Sequence, residues 1–279
     1  MTTIPHTKTE LLVLLAELEL HPRRKWGQNF LTDPNMLDAI VRTAAPATGE
    51  VILEIGAGTG VLTERLLAAG ARVTAVEIDR RLAGHLRAAF GGHPGLRLIE
   101  GDACDLDYDA LLGAEPYRVV ANLPYACSSV LVATFARLRT PPRDMLLLLQ
   151  REMADRLAAS PGTKDFGSLT VSVRMTYDVT RLRAVPPGVF TPPPEVDSAL
   201  VRLTARTPPL SVAERDRVGA VARVAFGQRR KKLSNALSAH FDAVAVREAM
   251  LRAGIPADVR PEQVDVLGFV RLAACLPAE

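Results

Sequence analysis

Cysteine is scarce, with Cys104, Cys127 and Cys275 widely spaced and no C-x-x-C pair among them. That excludes a disulfide framework and a thiolate zinc site, and it suits a reducing compartment. Five scattered histidines give no ligand spacing, so no metal is expected. Long apolar runs are also missing. The stretch "LLVLLAELEL" from Leu11 spans ten residues and carries Glu17 and Glu19. It is too short to cross a bilayer, and no small-residue cleavage site follows it. It reads as an amphipathic helix packed on its own domain. These absences together predict a soluble, cytoplasmic protein with no membrane partner.

With 48% hydrophobic and 23% charged residues, the 279-residue chain can bury an ordinary core. Its length allows one large domain or a domain with a small appendage. The net charge of +3 is unevenly placed. From Arg206 to Glu279 there are 12 Lys/Arg against 8 Asp/Glu, a net of +4, which leaves −1 for the first 205 residues. Cations cluster at Arg23, Arg24 and Lys25 and at Arg229, Arg230, Lys231 and Lys232. Clusters of this kind suit a polyanion partner, although a four-residue run is also compatible with a solvated helix face.

Short apolar runs alternate with helical patterns. Strands are expected at 51–55, 72–78, 96–100, 117–122 and 144–150, with helices near 60–69, 79–90, 107–112 and 128–138. Strands joined through helices form parallel sheets by right-handed crossovers, and continuously apolar strands are buried on both faces. Beyond residue 165, 168–177, 179–185 and 197–206 read as three closely spaced, antiparallel strands, with a proline-rich loop at 185–197. After "TPPLS" only helices are expected, near 212–226, 230–240, 243–253 and 261–275. The fold expected is therefore α/β: a Rossmann-like sheet, parallel with antiparallel C-terminal strands, over 1–206, followed by a small helical domain over 207–279. The first 46 residues belong to the larger domain.

"VILEIGAGTGVLTERLL" combines a strand, a glycine turn and a helix. Gly56, Gly58 and Gly60 permit a tight turn and close approach of a ligand to the main chain. A dinucleotide fingerprint needs a third glycine at position 61, where Val61 stands, and no Gly-Lys-Ser/Thr follows for a P-loop. The Glu54-to-Gly60 spacing instead resembles the first motif of the S-adenosylmethionine-dependent methyltransferases. Glu77 closes the second strand, on the edge where open α/β sheets bind ligands, and suits ribose hydroxyls. Asp102, after the third strand, suits an adenine amine.

The fourth strand ends in "VVANLPYACSS". Asn, Pro and an aromatic at a strand end make an ordinary turn, but on the cofactor edge they carry a second meaning. The pattern [Asn/Asp/Ser]-x-Pro-[Tyr/Phe] marks methyltransferases that act on exocyclic amines. An adenine amine is a poor nucleophile because its lone pair is delocalised into the ring. Hydrogen bonds to the Asn122 side-chain oxygen and to a nearby main-chain carbonyl favour a tetrahedral nitrogen and aim its lone pair. Pro124 stiffens the turn, and Tyr125 offers a stacking face. Such catalysis works by orientation and charge placement. Cys127 as a covalent nucleophile is the weaker alternative, since it lacks a Pro-Cys context.

Taken with "RKWGQNFL" (24–31), "VEID" (76–79), "GDA" (101–103), "VFTPPPEVDSALVRL" and "AFGQRRKKLSNAL" (225–237), these motifs identify the chain by resemblance. It is similar, over nearly its whole length, to the small-subunit ribosomal RNA adenine dimethyltransferases, the family whose loss gives kasugamycin resistance in bacteria. The resemblance implies dimethylation of the 6-amino groups of two adjacent adenosines in a hairpin loop near the 3′ end of the small-subunit RNA, and a role late in subunit assembly. It implies that Asn29, Leu31, Gly56, Glu77, Asp102 and Asn122 hold S-adenosylmethionine, with Gly58 in the same turn. Phe190 is implied to stack on the target base opposite Tyr125, a usual way to hold an extruded base. The partners implied are small-subunit RNA and the assembling subunit, not DNA, for a monomeric enzyme.

Three positions depart from the family pattern: Trp26, where a Phe-like residue is usual; Ala57, where proline is common; and "YACSS" after the proline, in place of Asn-Ile-Ser-Thr. None removes a group that the chemistry needs. The related large-subunit enzymes of macrolide resistance usually carry Ile at the position of Leu123 and are more basic. Amine-directed DNA methyltransferases have a second proline there. A non-catalytic assembly factor is the alternative from another class, and the intact motif residues speak against it.

Overall fold

The computed structural model describes residues 3–21, 28–207, 209–228 and 230–277. In chain order its elements are α1 (Lys8–Glu17), β1 (Phe30–Leu31), α2 (Pro34–Ala44), β2 (Val51–Ile55), α3 (Val61–Ala68), β3 (Arg72–Glu77), α4 (Arg80–Phe90), β4 (Leu96–Glu100), α5 (Tyr108–Leu112), β5 (Tyr117–Asn122), α6 (Ser128–Arg137), β6 (Asp144–Gln150), α7 (Arg151–Ala158), α8 (Ser168–Arg174), β7 (Tyr177–Val185), β8 (Phe190–Thr191), β9 (Ser198–Ala205), α9 (Val212–Phe226), α10 (Leu233–Leu237), α11 (Ala243–Arg252) and α12 (Val266–Cys275).

Seven strands form one sheet in the order β4-β3-β2-β5-β6-β9-β7. The first five run parallel. β9 runs against them: Arg151 N, just past the end of β6, donates to Asp197 O, just before the start of β9, at 2.9 Å. β7 in turn opposes β9, because Arg206 N donates to Thr176 O at 2.8 Å. The mostly apolar inner strands are buried on both faces, as a sheet covered by helices requires. Below the sheet, Arg118 pairs with Glu50 and Asp144, tying the starts of β2, β5 and β6 together.

The chain divides into two compact units. The first comprises Met1–Leu131, Pro142–Ala154 and Arg181–Leu203, and the second Val132–Pro141, Asp155–Thr180 and Thr204–Glu279. A single cut at residue 206 therefore captures only the last crossing, because the second unit also draws in two earlier segments. Its core joins Phe166, Val171, Val221, Leu233, Val246 and Phe269. Phe226 sits between Phe166 and Phe269, with ring centroids 6.1 and 5.7 Å away.

One expected strand is a helix. "SLTVSVR" (168–174) alternates apolar and polar residues, yet it forms α8, with Thr170, Val171, Ser172 and Val173 all buried. Thr170 Oγ1 accepts from Gly167 N at 3.2 Å and donates to Arg156 O at 2.7 Å, which closes the first turn. Seven residues are too few for the period to decide between helix and strand, and packing in the helical unit overrides the β preference of Val and Thr. The last expected helix is also shorter. Asp265 caps α12 by accepting from Gly268 N at 2.6 Å, and the preceding Pro261–Gln263 is a separate 3-10 turn.

β1 pairs antiparallel with β8, Leu31 opposite Phe190, in a two-stranded ribbon that the sequence did not announce. Thr32 N donates to Val189 O at 2.9 Å and extends it. The ribbon ties residues near 30 to the proline-rich loop near 190.

Candidate active site

A cavity of about 440 Å³ opens at the carboxyl ends of the parallel strands, within the first unit. This is a normal size for a small-molecule site. Its wall is built from strand ends in succession: Glu54 to Thr59 at the end of β2, Glu77 and Ile78 at the end of β3, Gly101 to Cys104 after β4, and Asn122 to Cys127 at the end of β5. Gln28 to Leu31 line it from the N-terminal side. Three of the lining residues are acidic, Glu54, Glu77 and Asp102, and among the described residues that line it none is Lys, Arg or His.

The glycine turn is held by β3. Gly56 N and Ala57 N both donate to Val76 O, at 2.8 and 3.2 Å. Gly56 has φ +71, and a Cβ there would lie 3.2 Å from Pro124 Cγ. The absent side chain is what lets the turn after β5 close against the turn after β2. Gly58 N donates to Glu77 Oε2 at 2.8 Å, and Asp79 N donates to Oε1 at 2.9 Å. Glu77 is thus fixed across the turn by two backbone donors. Burial still pushes its carboxyl above the ordinary range, against the pull of those hydrogen bonds. Glu54 is more extreme: burial, aided by the nearby Glu77 charge, raises it to about 8, although Thr63 Oγ1 donates to it at 2.6 Å.

Asp102 Oδ1 accepts from Cys104 N at 2.8 Å, which folds the loop after β4 into a turn. The Tyr108 hydroxyl braces that loop by donating to Ala103 O at 2.7 Å. At the end of β5, Asn122 Nδ2 donates to Asn29 O at 3.1 Å. The amide nitrogen is thereby engaged, and Oδ1 is the end left to accept from a ligand. Tyr125 is tied through its hydroxyl to Ser198 Oγ at 2.8 Å and through its carbonyl to Ser128 Oγ at 3.2 Å. Cys127 Sγ donates to Pro124 O at 3.4 Å, and burial pushes its thiol up to about 12. A thiol so held is protonated at neutral pH and is no nucleophile.

The cavity therefore gathers Asn29, Leu31, Gly56, Gly58, Glu77, Asp102, Asn122 and Tyr125 around one space. Phe190 does not join them. It is 2% exposed and packs in the core cluster with Leu31, Ile40 and Val185. Phe190, implied by the resemblance to stack on the target base opposite Tyr125, lies among these core side chains through the pairing of β8 with β1. Arg230, Lys231 and Lys232 are exposed in the turn between α9 and α10, whereas Arg229 lies outside the described residues, as do Arg23, Arg24, Lys25 and Trp26. Sequence reasoning gave no role to Ser198 or to the carbonyl of Asn29. Both reach the site through pairings distant along the chain, which no local pattern signals. Among the described residues, no helix is long and apolar enough to cross a membrane.

An open, mostly parallel sheet, a glycine turn after its first long strand and an acidic cavity at the carboxyl edge define a class I methyltransferase. Residues 20–276 match the family model described as ribosomal RNA adenine dimethylase. The ribosomal RNA small subunit methyltransferase A of Xanthomonas axonopodis pv. citri is 42% identical over 257 residues, covering 90% of this chain and 95% of that protein. The protein of the same description from Pseudomonas syringae pv. tomato is 41% identical over 266 residues, covering 94% and 97%. Among solved structures, the 23S rRNA methyltransferase ErmE is 30% identical with a TM-score of 0.66, covering 89% of this chain and 99% of that one. A dimethyladenosine transferase from Plasmodium falciparum is 26% identical with a TM-score of 0.70, covering 87% and 95%. The chain belongs to the ribosomal RNA adenine dimethylase family, whose members are S-adenosylmethionine-dependent methyltransferases.

Proposed function

We propose that the chain dimethylates the 6-amino groups of two adjacent adenosines in the 3′-terminal hairpin loop of small-subunit ribosomal RNA, late in subunit assembly in the cytoplasm, acting as a monomer. The small-subunit target is favoured by the 42% identity to the small subunit methyltransferase A, against 30% for the large-subunit enzyme.

The cavity fits the methyl donor by the chemistry of its lining. Among the described lining residues none is basic, so no side chain there repels a sulfonium or pairs with a phosphate, and Glu77 and Asp102 supply acceptor oxygens. When bound, S-adenosylmethionine supplies an electrophilic methyl on a sulfonium. Gly56 and Gly58 bring main chain to the cavity wall, and Glu77, already locked by two N–H donors, presents its remaining lone pairs to ribose hydroxyls. Asp102 accepts from the adenine amine of the donor, while Asn29 and Leu31 close the site from the N-terminal side.

The observation that carries the reading is the clamped amide of Asn122. With Nδ2 held by Asn29 O, Oδ1 accepts from the target amine and aims its lone pair into the cavity. Tyr125 stacks the target base beside it. Phe190, paired with Leu31 in the β1–β8 ribbon, backs the segment that lines the cavity. Arg230, Lys231 and Lys232, with Arg229 and the 23–25 cluster, bind RNA phosphates. Primer extension on small-subunit RNA from a deletion strain tests the assignment. Loss of a paired adenosine block in that RNA is expected, and an unchanged pattern there would overturn it.

A further inference from the structure

Tyr125 is bound to a partner 73 residues away, and the topology explains how. Parallel strands bring their last residues to the cavity edge, Asn122 of β5 among them. β9 runs the other way, so it brings its first residue there, and that residue is Ser198. The Arg151 N to Asp197 O bond sets this end of the strand beside the end of β6. Ser198 is completely buried, and its Oγ lies 2.8 Å from Tyr125 Oη. The hydroxyl sits on the long axis of the phenol ring, so this bond fixes where the axis points, whereas packing controls rotation about it. Ser128 holds the Tyr125 carbonyl at the other end. Both ends of the residue are therefore anchored.

We propose that Ser198 is a positioning residue that sets the tilt of the Tyr125 ring, and with it the alignment of the stacked adenine over Asn122 for the second methyl transfer in particular. The proposal rests on the reading of Tyr125 as the stacking surface. A monomethylated amine is bulkier than the free amine and has one N–H fewer to hold it. Its aim depends more on the plane of the base and less on hydrogen bonds to Asn122. Small displacements are costly in a reaction governed by orientation. A ring released from Ser198 leaves the first transfer less affected than the second.

The test is single-turnover methylation of unmethylated small ribosomal subunits, with mono- and dimethyladenosine counted separately. Ser198→Ala is expected to slow the second transfer by about three- to tenfold, the range of one hydrogen bond, so that monomethyladenosine accumulates. Donor affinity stays near wild type, and melting temperature falls by no more than the loss of one buried hydrogen bond explains. Tyr125→Phe, which removes the same bond from the other side, gives the same product ratio, the double variant is no worse than either single, and Ser198→Thr restores dimethylation. A loss of stability alone slows both transfers equally and leaves the ratio unmoved. A wild-type ratio in Ser198→Ala, or additive losses in the double variant, overturns the proposal. Should Ser198→Ala fail to fold, the ratio in Tyr125→Phe decides. Full turnover in Tyr125→Ala is a different result and removes the stacking reading itself.

Discussion

Gly56 and Pro124 meet where two motifs far apart in the chain close on one another: a Cβ on Gly56 would lie 3.2 Å from Pro124 Cγ and 3.3 Å from its Cδ. The glycine also holds φ +71, a region that costs L-residues roughly 1–2 kcal/mol. The donor turn and the amine-holding turn are therefore a single packed object. Gly56→Ala should lower unfolding free energy by at least that strain and weaken donor binding as the two turns are forced apart. Denaturant unfolding and calorimetric titration of the donor measure the two effects. Wild-type values in both would separate the two turns.

Asn122→Ala removes the acceptor for the target amine and the clamp on Asn29 together. The expected loss of methyl transfer is about 10²–10³-fold in kcat, the usual cost of removing one preorganised polar group at a reacting centre. RNA affinity should change little, because phosphate contacts dominate it. Filter binding and turnover on the same preparation check both halves, and full turnover defeats the assignment of the amide.

Cys127→Ser should keep most of its turnover. The thiol is pushed up to about 12 by burial and donates to Pro124 O, so it takes no covalent part. A serine at this position can make the same donation. Loss of activity with retained fold, traced by product analysis to a missing enzyme–base adduct, would reverse this.

Changing Arg229, Arg230, Lys231 and Lys232 to Ala should weaken RNA binding and flatten its salt dependence. Each lost phosphate contact reduces the slope of log K against log salt by about 0.7–0.9. The last three are exposed in one turn, with neither strand nor helix to shield them. A slope identical to wild type returns the cluster to the role of a solvated face.

Much of the site is written in local sequence, because much of it is local structure. A strand followed by glycines, an acid at a strand end and Asn-Leu-Pro-Tyr after an apolar run each depend on residues within a few positions of one another. What escaped the sequence depends on pairings across the chain. Nothing local signals that Phe190, in its proline-rich loop, is buried by the pairing of β8 with β1. Ser198 reads as the unremarkable start of a strand until the reversed direction of β9 brings it to Tyr125. The helix at 168–174 fails for a different reason, since its alternation is genuine but tertiary packing outweighs it.

The buried carboxylates make stability depend on pH in an unusual direction. Glu54 titrates at about 8 in the folded protein, well above its ordinary value of 4.5, chiefly because burial penalises its charge. The folded state therefore binds a proton that the unfolded state has released. The stabilisation from that proton is complete below about pH 4.5 and is lost as the pH rises through 8. Glu77 is shifted the same way and adds to the trend. The Glu54 share of the unfolding free energy should accordingly fall between pH 5 and pH 8, the reverse of what an ion-paired carboxylate produces, while His85, which burial holds neutral, acts in the opposite sense. Glu54→Gln keeps an acceptor for Thr63 and cannot ionise, so its stability should fall less steeply over this range and exceed wild type at the alkaline end. Denaturant unfolding at a series of pH values reads the two slopes. Parallel curves would mean that Glu54 is already ionised in the folded protein, with a cation or solvent reaching it through the cavity.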